Sequence, residues 1–348
     1  MKILLFMFLF ALCAFQTSKA TTLYVDIRKG SDDNPGSREL PFQTIQKAVE
    51  WINTSQGQES VIVKIAPGLY TLDKGCLIKP SRSLTETTRL IIEALVMPDD
   101  SAWTPLDMPI IVSVENPIIP EKSPYIESWG FQVETSHVTI RGLKFIGTVI
   151  PKVMYYPIYR TGKDLEDLVV SQCMFLCSGD VTSSNVAVIA NGRSLKIDHC
   201  VFYNCANAAV YWDAEGGVSK GNAMTHCLID GGYVSGVWLC ETGEDFKFHH
   251  NILTHCRYAF MRNESNQTTY QIEDCVINQC QYFSGKSDNS FNLSETGEAV
   301  HYSEKNVIKT GDIRLVTTPG LDLDIPRRYL QLEEGSVGTE LGAGLFKQ

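Results

Sequence analysis

The chain has 348 residues, of which 44% are hydrophobic and 20% are charged, and its formal net charge is −10 at pH 7. This composition is ordinary for a globular chain long enough to bury a large core, and it excludes an intrinsically disordered protein. The acidic balance, without a run of basic residues, argues against a nucleic acid as partner.

Residues 1–20 have the pattern of a signal peptide. Lys2 is followed by the apolar run Ile3 to Phe15, and Ser18 and Ala20 supply small residues where a signal peptidase reads the chain. The apolar run is too short to span a bilayer comfortably, and no later segment has a transmembrane pattern. We expect cleavage after Ala20 and a mature protein that is secreted, periplasmic or bound to the cell surface.

Residues 21–65 are predicted to form an N-terminal cap. A strand from Thr22 is followed by a turn through Asp33 and Gly36 and by a helix that begins near Pro41. Such a helix can cover the open end of a stack of strands, where an apolar core would otherwise meet water. The stretch 81–130 is irregular and rich in proline, which indicates longer coils or loops. The apolar face of the helix comprises Phe42, Ile45, Ala48, Val49 and Ile52.

Residues 131–310 are predicted to form regular coils. One short phrase recurs there in steps of 27, 27, 24 and 24 residues, a period typical of one coil of a solenoid. Apolar residues alternate with polar ones around each phrase, which indicates strands, and a second strand follows in each unit. Units this short cannot bury their own apolar faces, so they must stack as a parallel β-helix. The phrases begin at Cys173, Cys200, Cys227, Asn251 and Cys275.

Residues 311–348 are interpreted as a C-terminal closing segment. Proline and glycine interrupt the strand pattern there, around Pro319 and again between Tyr329 and Gly344. Because no linker divides the repeats, residues 21–348 are predicted to form a single domain.

The repeat carries eight of the ten cysteines that would remain after cleavage. Neighbouring rungs of a parallel sheet lie about 4.8 Å apart, which a disulfide permits. Asn251 and Gly232 occupy the same two columns, however, so the columns select for small inward side chains, and we favour buried thiols over disulfides. The columns comprise Cys173, Cys200, Cys227 and Cys275, and Cys177, Cys205, Cys256 and Cys280.

The segment LYVDIRKGSDDNPGSRELPFQTIQKAVEWI, followed by VIVKIAPGLYTL, resembles the amino-terminal cap of right-handed parallel β-helix proteins of the pectin lyase-like superfamily. The segment from Pro319 to Gly344 resembles the end of the same proteins. The resemblance implies an all-β fold, a single-stranded right-handed parallel β-helix with an N-terminal capping helix. It also implies a bacterial polysaccharide-active protein, most often a lyase or glycoside hydrolase and in some cases non-catalytic.

The second strand of each unit suggests a surface for a sugar. If Val188, Val210 and Val237 point inward, together with Phe260 and Phe283, their neighbours point outward. Tyr211 and Trp238 would then lie side by side on consecutive rungs and could stack on the apolar face of a sugar ring. The alternative is that the two rings pack beneath a long loop. The outward set would be Ile189, Tyr211, Trp238, Met261 and Ser284.

Charged residues follow the same strands and supply the candidate chemistry. Glycoside hydrolysis needs two carboxylates in different environments, and Asp213, Glu241 and Glu264 could supply them. A lyase would instead use Arg262 or Lys286 as base or clamp, and calcium could then bind the same three carboxylates. Solvated turn charges would give the same pattern. The predicted catalytic residues are Asp213, Glu241, Arg262 and Glu264, and the predicted substrate-binding residues are Tyr211, Trp238, Glu215 and Lys286.

Arg262 is unusual because a strict strand alternation would aim it inward. A buried guanidinium requires a partner, for which Glu241 or Glu264 is the candidate carboxylate, unless a bulge turns the side chain outward into the site.

Histidines also align, at His199, His226 and His250 on three consecutive rungs, followed by Asp274. Such a set could hold a transition metal, but parallel side chains would not surround a point, and we predict no metal. No cofactor is firmly implied.

The sequence as a whole predicts a secreted carbohydrate-active enzyme, a glycoside hydrolase or polysaccharide lyase, that cleaves a polysaccharide bound along the β-helix face. The alternative is a non-catalytic glycan-binding or cell-surface protein. A monomer is expected.

Overall fold

The computed structural model describes residues 20–115, 126–150, 153–179, 182–212, 220–240, 243–288, 292–295, 301–317 and 325–347. The predicted signal peptide therefore lies outside the described residues except for Ala20. Within these ranges, no helix is both long enough and apolar enough to cross a membrane.

The described residues are mostly β-strands. The strands of the first half are β1 (Thr21–Val25), β2 (Val61–Ile65), β3 (Leu69–Leu72), β4 (Cys76–Ile78), β5 (Leu90–Ala94), β6 (Ile110–Ser113), β7 (Ile126–Val133), β8 (Val138–Arg141), β9 (Lys144–Ile146), β10 (Val153–Arg160), β11 (Glu166–Ser171) and β12 (Met174–Leu176). Those of the second half are β13 (Val186–Ala190), β14 (Arg193–Asp198), β15 (Val201–Tyr203), β16 (Asn207–Tyr211), β17 (Ala223–Thr225), β18 (Leu228–Asp230), β19 (Ser235–Leu239), β20 (Phe246–His249), β21 (Ile252–Thr254), β22 (Tyr258–Asn263), β23 (Tyr270–Asn278), β24 (Tyr282–Ser287), β25 (Leu293–Glu295) and β26 (Tyr302–Ile308). Helix α1 spans Ile45–Thr54, and two short 3-10 helices span Pro105–Asp107 and Thr339–Leu341.

Parallel pairing arranges these strands into three ladders that form the sides of one β-helix. The first ladder runs β1, β2, β5, β8, β11, β14, β17, β20, β23 and β26. The second runs β3, β6, β9, β12, β15, β18, β21 and the end of β23. The third runs β4, β7, β10, β13, β16, β19, β22 and β24, with β25 added antiparallel. The predicted right-handed parallel β-helix is confirmed.

The core is built from inward columns, as the repeat predicts. In the second ladder Phe145, Phe175 and Phe202 stack at ring-centroid distances of 5.1 and 4.9 Å, and Ile229 and Leu253 continue the buried column. Because successive rungs present the same type of side chain, each coil buries its apolar face against the next one.

A column of residues in the left-handed conformation turns the chain from the first ladder to the second. Asparagine, aspartate and histidine tolerate this region better than most residues other than glycine, which explains the polar side chains there. The column comprises Gln172, His199, His226, His250, Asp274 and Asn306, with φ between 50° and 57°.

The first cysteine column lies next to these turns, and the second lies at the turn from the second ladder to the third. All ten cysteines of the described residues are free thiols. Asn251 takes a thiol's place in one column: its Oδ1 accepts from the backbone N–H of Cys227 at 2.8 Å, and its Nδ2 donates to the carbonyl of Met224 at 2.8 Å.

Helix α1 covers the first coil, as predicted, and begins at Ile45. Thr44 caps it by accepting from the N–H of Lys47 at 3.1 Å, and the Thr44 hydroxyl donates to Asp32 at 2.7 Å. The predicted apolar face is buried in the core cluster.

The parallel ladders begin earlier than residue 131. β1 lies within the segment interpreted as a cap, yet it pairs in parallel with β2 as the first rung. β5, β6 and part of β7 lie within the stretch predicted to be irregular.

The described part of the closing segment lies along the side of the β-helix. Ile313, Leu330, Leu332 and Leu345 pack on outward apolar residues of the second ladder. Phe346 meets Trp103 edge-on at 5.5 Å, and the backbone N–H of Lys347 donates to Asp99 at 2.9 Å. The outward residues covered in this way are Met174, Val201, Leu228, Ile252 and Val276.

Candidate functional site

The outer face of the third ladder is the candidate site, and its geometry follows from a bend in each strand. In β22 both Ala259 and Phe260 face the core, whereas Tyr258 and Met261 on either side of them pack on the outside. The other rungs repeat this pattern, so that each strand contributes two outward positions. The first column holds Trp129, Tyr156, Val186, Asn207, Ser235, Tyr258 and Tyr282, and the second holds Gln132, Tyr159, Ile189, Val210, Trp238, Met261 and Gly285.

The predicted platform of Tyr211 and Trp238 is wrong. Tyr211 pairs with Leu239 in register and is fully buried in the core, where its ring meets Phe246 at 4.6 Å. The rung neighbours of Trp238 are Val210 and Met261. Val210 therefore points outward, and Ser284, predicted to be outward, pairs with Phe260 and is buried.

The error is a shift of one residue. Val188 pairs with Ala209, 21 positions later, and Ala209 pairs with Val237, 28 positions later. The cysteine phrase advances by 27 at both of these steps, so counting back from Val237 gives Val210 instead of Ala209 and misplaces β16 by one residue. A shift of one residue moves every side chain of a strand to the opposite face.

Trp238 does point outward, but it is covered. Only 8% of its surface is exposed, and its Nε1 donates to Asn263 Oδ1 at 3.0 Å. The sequence allows Trp238 either to stack on a sugar or to pack beneath neighbouring structure, and its surroundings match the second interpretation. Its role in substrate binding stays a prediction.

Other aromatic residues on this face are half-exposed and were missed by the sequence analysis. Trp129 and Tyr159 lie on β7 and β10, and Tyr156 and Tyr159 approach to 5.7 Å. Glu127 is exposed beside them, and burial followed by this carboxylate raises the pKa of Tyr156 to about 12. At the other end of the ladder Tyr282 stacks on Tyr258 at 5.0 Å.

A sequence signal for these residues exists. In most rungs a small residue or proline precedes the first of the large inward residues, and the outward residue stands directly before it. Aligning the rungs on that small residue gives the observed register and extends the pattern back to β7. The residues are Gly130, Pro157, Ala187, Ala208, Gly236 and Ala259.

Of the predicted charged residues, Arg262 and Lys286 lie on neighbouring rungs, as expected. Tyr211, Leu239, Arg262 and Lys286 are consecutive partners in register at the end of the third ladder. Asp213, Glu215 and Glu241 follow the first two of these strands and lie outside the described residues.

Arg262 is buried, as strict alternation predicts, but its described partner is a backbone carbonyl instead of a carboxylate. Its Nη1 donates to the backbone carbonyl of Asn266, and burial lowers its pKa. Asn266 in turn donates to the carbonyl of Leu239 at 3.2 Å. Of the two candidate carboxylates, Glu264 accepts from Lys286 Nζ at 2.7 Å, and Glu241 lies outside the described residues.

Comparison with known proteins supports the fold. No protein-family model matches the chain. No curated protein matches it either. Among solved structures the chain is similar to a rhamnogalacturonan lyase, with a TM-score of 0.58 and 13% identity, covering 94% of this chain and 100% of that one. It is also similar to a GH136 lacto-N-biosidase from Eubacterium ramulus, with a TM-score of 0.47 and 9% identity over 83% of this chain and 67% of that one. The protein has the right-handed parallel β-helix fold of the pectin lyase-like proteins.

Proposed function

We propose that the protein is a secreted carbohydrate-active enzyme that cleaves a polysaccharide bound along the outer face of the third ladder. The observation that carries the proposal is the pair of outward columns, in which Trp129, Tyr159 and Tyr282 present half-exposed rings on a rigid sheet. Rings held in this way can stack on sugars while polar neighbours bind the hydroxyl groups. An extended face of parallel rungs suits an extended chain of sugars.

Hydrolysis is the reaction that the charges favour. Lys286 is held by Glu264, and Arg262 is buried against a backbone carbonyl, so both cations suggested as a lyase base are already engaged. In the sequence, Asp213 follows β16 and Glu241 follows β19, two strands that are neighbours in register. In this proposal one carboxylate is protonated and acts as the general acid, and the other, ionised, acts as the base or nucleophile.

Substrate class and reaction are tested together. Rhamnogalacturonan is the first polysaccharide to try because the structure similar over nearly the whole chain is a rhamnogalacturonan lyase. Plant, algal and host glycans follow. Hydrolysis releases reducing ends without an ultraviolet signal, whereas elimination also creates an unsaturated uronate that absorbs in the ultraviolet.

Isosteric variants test the carboxylates. Asp213→Asn and Glu241→Gln are expected to reduce turnover at least about 100-fold, the usual effect of losing an acid–base group. Glu273→Gln, on the first ladder, is the matched control and should retain full activity. Trp129→Ala should weaken glycan binding.

The opposing outcomes are distinct. Turnover that survives both isosteric changes would show that Asp213 and Glu241 are not the catalytic carboxylates. Binding without turnover on every glycan would overturn the catalytic proposal in favour of a glycan-binding protein on the same face.

A further inference from the structure

A second site lies at the turn between the first and second ladders, away from the aromatic face. His199, His226 and His250 occupy consecutive rungs there and stack with ring centroids 4.6 and 4.8 Å apart and planes within 14°. The left-handed turn residues place the three rings on one line. The sequence suggests Asp274 as their carboxylate, but Asp274 reaches only His250, at 3.9 Å.

The carboxylate that meets two of the rings is Asp198. Its Oδ1 lies 2.9 Å from His199 Nδ1 and 3.7 Å from His226 Nδ1, and the candidate ligand atoms of the three residues lie within 4.8 Å of one another. Both Nδ1 atoms are buried, and neither makes a hydrogen bond of acceptable geometry within the described chain. His199 is 8% exposed. Thr225 fixes the carboxylate by donating to Oδ1 at 2.9 Å.

These separations suit a zinc ion. Ligands about 2.1 Å from a tetrahedral Zn²⁺ lie about 3.4 Å from each other, and the two distances to Asp198 fall on either side of that value. Two imidazole nitrogens and one carboxylate oxygen are ligands that late first-row divalent ions prefer over calcium or magnesium.

We propose that Asp198, His199 and His226 bind one Zn²⁺ ion at this turn. Each imidazole lone pair lies in its ring plane, so the two rings must tilt toward each other from their parallel stack. Solvent supplies the remaining coordination position, since the His226 side chain is one-third exposed.

Lys347 opposes this binding. Its Nζ lies 3.0 Å from Asp198 Oδ2, and the closing segment is held beside it by a hydrogen bond from the N–H of Gly344 to the carbonyl of His226 at 2.9 Å. An ammonium group beside a ligand repels a second cation. Removing this charge should therefore tighten zinc binding while leaving the three ligands in place.

Calorimetric titration of the purified protein with ZnCl₂ is the test. One ion should bind per chain, and His226→Gln and Asp198→Asn should each weaken binding at least tenfold. Lys347→Ala should tighten it. The matched control is His255→Gln: His255 Nδ1 pairs with Asp230 at 2.7 Å, a single histidine–carboxylate pair at the turn between the second and third ladders. It should leave zinc binding unchanged.

Cysteine thiols are the alternative ligands for zinc, and the spectrum of bound Co²⁺ distinguishes them from the nitrogen and oxygen ligands of the proposed site. Co²⁺ bound through nitrogen and oxygen lacks the intense ultraviolet charge-transfer bands of cobalt thiolates. Circular dichroism of the metal-free variants shows whether each one folds, and Lys347→Ala provides a gain of affinity that misfolding cannot imitate. Absence of stoichiometric uptake, thiolate bands, or uptake that persists in both ligand variants would overturn the proposal.

Discussion

Asn251 shows at the scale of one residue what the thiol columns do. Its amide accepts from the backbone of one neighbouring rung and donates to the backbone there as well. In the next rung Cys275 makes the same kinds of contact with sulfur, accepting from the N–H of Asn251 at 3.4 Å and donating to the carbonyl of Phe248 at 3.3 Å. The column therefore links the backbones of successive coils, in addition to requiring a small side chain.

Asn251→Ala should destabilise the protein by about 2 to 6 kcal/mol, because two buried backbone groups lose their partners at about 1 to 3 kcal/mol each. Asn251→Cys is the matched control, and it should lose less than half as much, since a thiol can make both contacts weakly. Urea unfolding measures both variants. Equal losses would mean that the column selects for size alone.

At the scale of the element, α1 depends on a cap that reaches beyond the helix. Thr44 connects the first helical turn to Asp32, which also accepts from the backbone N–H of Gln43 at 3.0 Å. The entry into the helix is thereby tied to the loop that precedes it, and the apolar face is held over the first coil.

Thr44→Ala should lower the free energy of unfolding by about 1 kcal/mol, the usual effect of losing an N-cap side chain. Thr54→Ala is the control at the other end of the same helix, where the hydroxyl donates to the carbonyl of Glu50 at 2.9 Å and is exposed. It should change stability by less than half as much. Thermal unfolding followed by circular dichroism compares the two variants. Similar decreases in the free energy of unfolding would show that the Thr44 side chain does not stabilise the helix as an N-cap.

How far the sequence predicts the structure differs among the ladders. Val201, Leu228, Ile252 and Val276 pair in steps of 27, 24 and 24 residues, as the phrase predicts, because the second ladder contains the phrase itself. The third ladder follows loops of unequal length, so its register cannot be counted from the phrase, and the phrase predicts the wrong face for Tyr211. The pairing of Glu264 with Lys286 depends on side-chain conformation, which the spacing does not specify.

At the scale of the whole molecule, buried thiols make the fold sensitive to alkali. Burial raises the pKa of both Cys76 and Cys275 to about 12, from the ordinary value of 9.0 for a thiol. Below about pH 9 both states hold these protons, and stability does not depend on them. Above it the unfolded chain releases protons that the folded chain retains, so stability falls until the pH passes about 12.

The decrease should approach about 1.4 kcal/mol per pH unit for each thiol. Urea unfolding midpoints between pH 7 and pH 11 measure it, and Cys76→Ala should make the alkaline decrease shallower. Tyr70, whose pKa burial also raises to about 12, adds to the loss at the upper end of this range. Constant midpoints up to pH 11 would show that the thiols are not held protonated.

The position of the closing segment along the side of the β-helix also affects the order of folding. A stack of coils with only neighbour contacts can form progressively as a chain is synthesised. Here the apolar outer side of the second ladder stays exposed to water until residues 325–347 are synthesised and pack on it. The backbone N–H of Lys347 then donates to Asp99, 248 positions earlier in the sequence. Such distant closure is slow compared with local contact formation. Nascent coils therefore expose an aggregation-prone apolar surface through most of synthesis, and a chain truncated before residue 325 would expose it permanently.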